Sequence, residues 1–388
     1  MKHIPSSDVD LYSDHTLTHT REVYRELRQL GPVVHLPASD GYAVTQFDAL
    51  RIALRADSIL VNGEGVAAND IINAAPKDTT LTSDGDTHLH RRGILQRPLL
   101  REPLQTIKAD IEASAHELVA SLLRRDRFCG VADFATHLPL TIVAELVGLS
   151  DQGKDRMLEW AAATFNALGP LNERCEQALP VALSAVEYVH QLTPETVVED
   201  GWAYRVLRAK EEGELSGSEA SMMIMDYVAP SLDTTILATA HLLWLLGTHP
   251  NALVRLRDNP KLVGSTVTEA VRLASPIRCF TRYANADFEL EGFVIPASSR
   301  VAVLYASGNW DEQHYEQPDS FQIDRNPRDQ MGWGFGMHTC AGMQLARLEM
   351  ESLLKALIHQ VERIQVGSPT PLMNNILQGF TELPASLH

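Results

Sequence analysis

The 388 residues, 45% of them apolar, are enough chain for one large domain with a substantial core, and 50 acidic against 33 basic side chains leave a formal charge of −17. That balance argues against a nucleic-acid or anionic-membrane partner. The four scattered cysteines lack disulfide or zinc-site spacing, no window approaches 18 uninterrupted apolar residues, and the first 14 residues lack the zones of a signal peptide, so the expected location is the cytoplasm.

Taken in chain order, the pattern predicts a short helix over 21–30, strands over 33–36 and 41–45, and a polar, Gly/Asn-rich loop over 62–82. A loop of that length inside a compact domain is commonly functional. Apolar residues three and four apart then predict helices over 107–123, 140–146, 157–168 and 178–192. One long helix is expected over 218–248, capped by Ser216 or Ser218 with Glu219 in its first turn and stopped by Gly247 and Pro250. A helix over 260–273, strands between 278 and 303 and a last helix over 342–361 complete the pattern. The fold class expected is mainly α with small β-sheets, and with no repeat or linker in sight, a single domain spanning 1–388.

The stretch from Met331 to Gly342 carries the clearest chemistry. Gly332, Gly334 and Gly336 alternate, His338 stands two before Cys340, and a helix begins just beyond. The glycines permit a tight fold against a flat ligand, and a helix N-terminus favours a thiolate over a thiol. A lone cysteine beside glycines is otherwise a small core residue.

This segment resembles the haem-binding signature of the cytochromes P450, Phe-Gly-x-Gly-x-His-x-Cys-x-Gly, matching at Gly334, Gly336, His338, Cys340 and Gly342 and departing at Trp333. The resemblance extends from about residue 5 to the C-terminus, with its landmarks in order. Glu269-Ala-Val-Arg272 looks like the family's Glu-x-x-Arg, and Arg325 matches the arginine that completes its ion cluster. The resemblance implies the P450 fold, with haem b held between the long central helix and the cysteine-loop helix. It implies Cys340 as the iron ligand and His88, Arg92, Arg282 and His338 as partners of the haem propionates. His88 and Arg92 have the i, i+4 spacing that aims two groups at one carboxylate.

The segment Ala229-Pro-Ser-Leu-Asp233-Thr234-Thr235 resembles the family's Ala-Gly-x-Asp/Glu-Thr, an acid and a hydroxyl beside bound O2. Thr234 would position the oxygen and Asp233 would gate proton entry. Pro230 and Ser231 replace the usual Ala-Gly pair, and a proline at 230 must open the helix against the carbonyl of Asp226. By family position, Phe165, Ala229, Leu232, Ile277 and Phe380 line the substrate pocket, together with parts of 62–72 and 377–380.

The expected activity is a monooxygenase that hydroxylates or O-dealkylates a small, largely apolar substrate. Residues 160–170 and 374–380 are similar to members that demethylate small methoxyaromatic compounds. No phosphate-cradling glycine loop or iron–sulfur cysteine cluster is present, so the electron donor is expected to be separate. A ferredoxin or flavodoxin with its reductase would dock near Cys340, on a face carrying Arg91 and Arg101. A peroxide-driven oxygenase and a non-catalytic haem or gas sensor are the competing readings. The Asp233-Thr234 pair argues against both.

Overall fold

A computed structural model describes residues 2–388, so the first residue of the expected 1–388 unit lies outside it. Helix dominates, and the strands gather into small sheets. The helix Thr20–Leu30 and the strands Val33–Leu36 and Gly41–Val44 fall where the pattern put them. The five-stranded sheet runs in the order Val33–Leu36, Gly41–Val44, Arg300–Val303, Phe280–Ala284, Leu60–Val61. Gly41–Val44 pairs in parallel with Arg300–Val303, Gly41 opposite Arg300, while the other pairings are antiparallel. A side chain at position 41 would run into the Arg300 carbonyl, which explains the glycine there.

The helical layer surrounds Asp233–Thr248, whose residues are buried on nearly every side. Against it pack Val263–Ala274 and the π-helical turn Gly130–Ala135, and Arg101–Leu122 lies along Met343–Gln360. One apolar cluster joins these helices, and a second joins the five-stranded sheet to the segments around Phe165 and Leu377. Residues Gly130–Val147 are long and apolar enough to cross a membrane by composition alone. They are nevertheless broken into short turns, and Phe134, Ala135, Leu138 and Val143 are buried in the helical cluster.

The single helix expected over 218–248 is two helices, Gly217–Val228 and Asp233–Thr248. Ser216, not Ser218, caps the first, in a reciprocal box with Glu219. The Ser218 hydroxyl goes instead to Asp78. Pro230 has no N–H to continue the ladder, and the Ser231 hydroxyl takes the Tyr227 carbonyl in place of a backbone donor. The chain therefore leaves helical geometry over 229–232, and the second helix starts afresh at Asp233. Several helices, among them Phe47–Ala53, Gly85–Leu95, Trp202–Glu211 and Pro250–Asp258, and the C-terminal strands lie outside the expected elements.

Candidate active site

The cysteine loop is pinned from behind. Glu269 and Arg272 sit one turn apart on Val263–Ala274, and their side chains meet in two bonds of 2.7 and 2.8 Å with both groups 0% exposed. Arg325 adds a third bond to Glu269 at 3.1 Å. Arg272 also donates to the carbonyl of Asn309 at 2.6 Å, and the Asn309 side chain accepts from the Met331 N–H at 2.6 Å. An ion cluster on one helix thus fixes the first residue of the loop.

From there the loop turns through Gly334 and Gly336, both with positive φ. A Cβ on Gly336 would strike the Leu54 carbonyl. Gly332 needs no left-handed turn; it lies close against Val271. The Cys340 N–H donates to the Trp333 carbonyl at 2.7 Å, closing the loop on itself. Cys340 keeps open surface although protein surrounds the loop on all sides, so the residue borders a cleft. Burial pushes its thiol above the ordinary value, and the N–H groups of Gly342 and Met343 and the charge of Arg92 offset this only in part. The thiolate expected from helix position alone therefore needs a bound cation to complete it.

His88 and Arg92 lie on Gly85–Leu95, His338 in the loop and Arg282 on Phe280–Ala284. The His88 and His338 rings meet edge-on at 4.2 Å. Arg92 donates to the Thr339 carbonyl at 2.6 Å, next to Cys340. Arg282 is held by the Thr281 carbonyl and the Tyr305 hydroxyl at 2.9 and 3.0 Å. Burial lowers the His88 imidazole and takes that of His338 down to about 4, so both are neutral at pH 7. His88 Nδ1 faces the Thr80 carbonyl at 3.1 Å and so carries its proton there. The Nε2 atoms of both histidines are buried with no hydrogen-bond partner.

Such orphaned atoms are rare in native proteins and call for a ligand. Two imidazoles and two guanidinium groups converge beside a cysteine, and a flat iron porphyrin with two carboxylates satisfies that donor set. The residues present fit the haem that the motif implies.

The helix break carries the expected acid and hydroxyl. Asp233 opens the second helix; its Oδ2 is buried without a partner, and burial raises its carboxyl to about 7. The Thr234 hydroxyl donates to the Pro230 carbonyl at 3.0 Å, bridging the break.

The pocket segments also meet. In the 62–82 loop, the Ala68 N–H donates to the Leu168 carbonyl, and the Asn69 amide to the carbonyls of Ala167 and Gly169. The Asn375 side chain bonds Asn166 and Asn172 from the C-terminal turn. Phe165 lies in the sheet-side cluster with Ile277 packed against it, and Ile277 forms an isolated bridge with Leu377. Ala229 and Leu232 lie in the helical cluster, Leu232 wholly buried, and Phe380 stacks on His241 at 5.4 Å.

Several site groups escape sequence reasoning. Asp84 accepts the N–H groups of Asn62 and Gly63 and stands 3.9 Å from His338. Burial would raise its carboxyl, but these bonds together hold it below the usual value. The one charged side chain amid Met222–Val228, Asp226, was the available signal for a second, partly buried acid. The basic face needs correction. Arg91 is 5% exposed, paired with Glu219 at 3.0 Å and with the Lys77 and Thr79 carbonyls, because its guanidinium ties the 62–82 loop to Gly217–Val228. Arg51 and Arg55 instead lie over the ring of Phe335 in the cysteine loop, 4.3 and 4.8 Å from its centroid.

A cytochrome P450 family model matches residues 190–382. The chain is 29% identical over 367 residues to the cytochrome P450 CYP199A2 of Rhodopseudomonas palustris, covering 93% of this chain and 89% of that one. It is 28% identical over 385 residues to the beta-dihydromenaquinone-9 omega-hydroxylase of Mycobacterium tuberculosis, covering 93% of this chain and 74% of that one. Among solved structures, Mycobacterium marinum cytochrome P450 CYP268A2 in complex with pseudoionone matches over 100% of both chains, with a TM-score of 0.86 at 24% identity.

Proposed function

Because the chain belongs to the cytochrome P450 family, whose members are haem b monooxygenases supplied with electrons by redox partners, we propose that it hydroxylates or O-dealkylates a small, largely apolar aromatic substrate. When bound, the haem supplies reductive activation of O2 for insertion of one oxygen atom. The observation that carries the reading is the cleft itself. Cys340 lies under the N–H groups of Gly342 and Met343, with the unpartnered Nε2 atoms of His88 and His338 beside it.

In this reading Cys340 would give its sulfur to the iron, and the backbone N–H groups of Gly342 and Met343 would moderate the charge it donates. Arg92, Arg282, His88 and His338 would receive the two propionates. An anionic carboxylate at either Nε2 favours the doubly protonated imidazole, reversing the effect of burial. Asp233, with a carboxyl near neutrality, holds a proton at Oδ2 and passes it inward, and the Thr234 hydroxyl at the break presents a donor to the reacting oxygen. Thr234 can do so by releasing the Pro230 carbonyl. An acid so placed favours use of O2 over peroxide, which brings its own protons.

The apolar Phe165, Ala229, Leu232, Ile277 and Phe380 contribute the substrate pocket, closed by the contacts among 62–82, 160–170 and 374–380. Demethylation of a methoxyaromatic compound is the reaction supported by the sequences of the last two segments. A ferredoxin or flavodoxin, acidic and separate from this chain, docks over Phe335 against Arg51, Arg55 and the exposed Arg101. The cytoplasm is the compartment that holds such donors. The reduced carbon monoxide difference spectrum tests the thiolate. Formaldehyde release from para-methoxybenzyl alcohol, with NADH and surrogate redox partners against peroxide alone, tests the reaction.

A further inference from the structure

Asp226 takes part in none of these steps, yet it is built into the site. It lies one turn before the helix break, and its Oδ2 accepts the Thr80 N–H at 2.7 Å. Its neighbours Met225, Tyr227 and Val228 are buried, while Asp226 itself retains accessible surface. Thr80 is only 4% exposed and is fixed at its carbonyl by the Ser83 hydroxyl at 2.8 Å and by His88 Nδ1. Its own hydroxyl stands beside the Asp226 carboxyl but makes no hydrogen bond of proper geometry.

No arginine neutralises this pair by direct contact. Arg91 is spent on Glu219, Asp78 and two carbonyls, and Arg92 on Gln96 and Thr339. Thr80 links Asp226 to the site, since its N–H bonds the Asp226 carboxylate and its carbonyl faces His88 Nδ1 at 3.1 Å.

We infer that Asp226 and the Thr80 hydroxyl form a polar subsite that receives a hydrogen-bond-donating group of the substrate, a hydroxyl or an ammonium, and rejects a carboxylate there. This rests on the aromatic O-dealkylation reading and narrows its substrate class. The carboxylate has one oxygen committed to Thr80 and acceptor capacity left over, and the threonine hydroxyl can donate or accept. Burial raises the Asp226 carboxyl to about 6, so at pH 7.5 it is mostly ionised. A donor then gains a charge-assisted bond in a site poor in water, whereas a second carboxylate would bring two like charges together without solvent.

The probes are para-methoxybenzyl alcohol, its methyl isostere para-ethylanisole, which carries a methyl in place of the hydroxyl, and para-methoxybenzoate. Each is titrated by calorimetry at pH 7.5 into haem-loaded wild type, Asp226→Leu and Asp226→Asn, with the carbon monoxide spectrum certifying each variant. The alcohol should bind wild type roughly tenfold or more tighter than the methyl isostere, with the benzoate weakest. Asp226→Leu should erase the alcohol's advantage and tighten the benzoate. Asp226→Asn, which keeps an acceptor for the Thr80 N–H, should retain part of that advantage while admitting the benzoate. A ranking unchanged in both variants, or a benzoate that binds wild type tightest, overturns the subsite. Formaldehyde release is read on the same samples. The predicted ranking without formaldehyde defeats the demethylation reading and leaves the subsite standing, and formaldehyde with an unchanged ranking does the reverse.

Discussion

The carboxylate of Glu269 is clasped at two points by the guanidinium of Arg272, and neither group touches solvent. Attraction in such a place offsets a large desolvation cost, so the pair is most informative when broken. Glu269→Ala leaves Arg272 and Arg325 without their shared anion, and Asn309 loses the arginine that aligns it with Met331. The expected loss is about 3–5 kcal/mol of folding stability, read as a lower urea midpoint, with poor haem retention. Retention equal to wild type would separate the ion cluster from the cysteine loop.

A milder perturbation addresses the loop itself. Gly336→Ala puts a methyl into the Leu54 carbonyl at a backbone angle that only glycine adopts freely. The expected result is a variant that folds but carries a growing fraction of carbon monoxide adduct absorbing at shorter wavelength, as the sulfur loses its placement. An unshifted spectrum would show that the loop can rearrange around the added methyl.

Asp233 and Thr234 separate by coupling and by pH. Thr234→Ala should keep NADH consumption while lowering the product formed per NADH, measured by hydrogen peroxide release. Asp233→Asn should reduce turnover by about a hundredfold and remove the pH dependence associated with a carboxyl near 7. Unchanged coupling in the first variant would refute the hydroxyl's role.

Glu349 offers a stability test away from the cleft. It is buried on Met343–Gln360, one oxygen has no partner, and burial raises its carboxyl to about 8. The folded state therefore binds a proton that the unfolded chain releases near the ordinary glutamate value of about 4.3. Its contribution to stability is full below that value and is lost as pH rises toward 8. Glu349→Gln should match wild type in thermal unfolding near pH 4 and exceed it at pH 9. Parallel pH curves for the two proteins would count against a protonated Glu349.

Electron delivery tests the surface over Phe335. Arg51→Glu with Arg55→Glu should slow reduction by an acidic ferredoxin roughly tenfold or more at low salt and flatten its dependence on ionic strength, leaving substrate binding intact. Arg101→Glu should act in the same direction. An unaltered rate would move the docking face elsewhere.

How far the sequence carries can be judged residue by residue. Glu269 and Arg272 were legible as a pair because their spacing on a periodic helix implies a shared face, whereas Arg325, on no helix, was placed with them by the family resemblance; the structure brings both arginines to the Glu269 carboxylate. The cysteine loop was legible because its glycine, histidine and cysteine spacing matches the signature of the family it resembles, and Gly334 and Gly336 do take the positive φ such a turn requires. The helix break was half legible: Pro230 announced an opening, but only the Ser231 hydroxyl on the Tyr227 carbonyl shows that the ladder stops altogether. Arg91 misled because a basic run looks the same whether its members face water or anchor a loop. Asp226 stood out as a lone acid in an apolar run, but its bond to Thr80 was invisible, since it spans 146 positions and depends on how the 62–82 loop lies against a helix.

The parallel pairing of Gly41–Val44 with Arg300–Val303 has a consequence for biosynthesis. A strand made early on the ribosome waits for a partner encoded in the last quarter of the message, and until then its pairing edge stays open. Contacts this distant in sequence form slowly. The nascent N-terminal segment is therefore a natural client for chaperones, and a chain cut short before residue 300 leaves that strand free to seek pairs on other molecules.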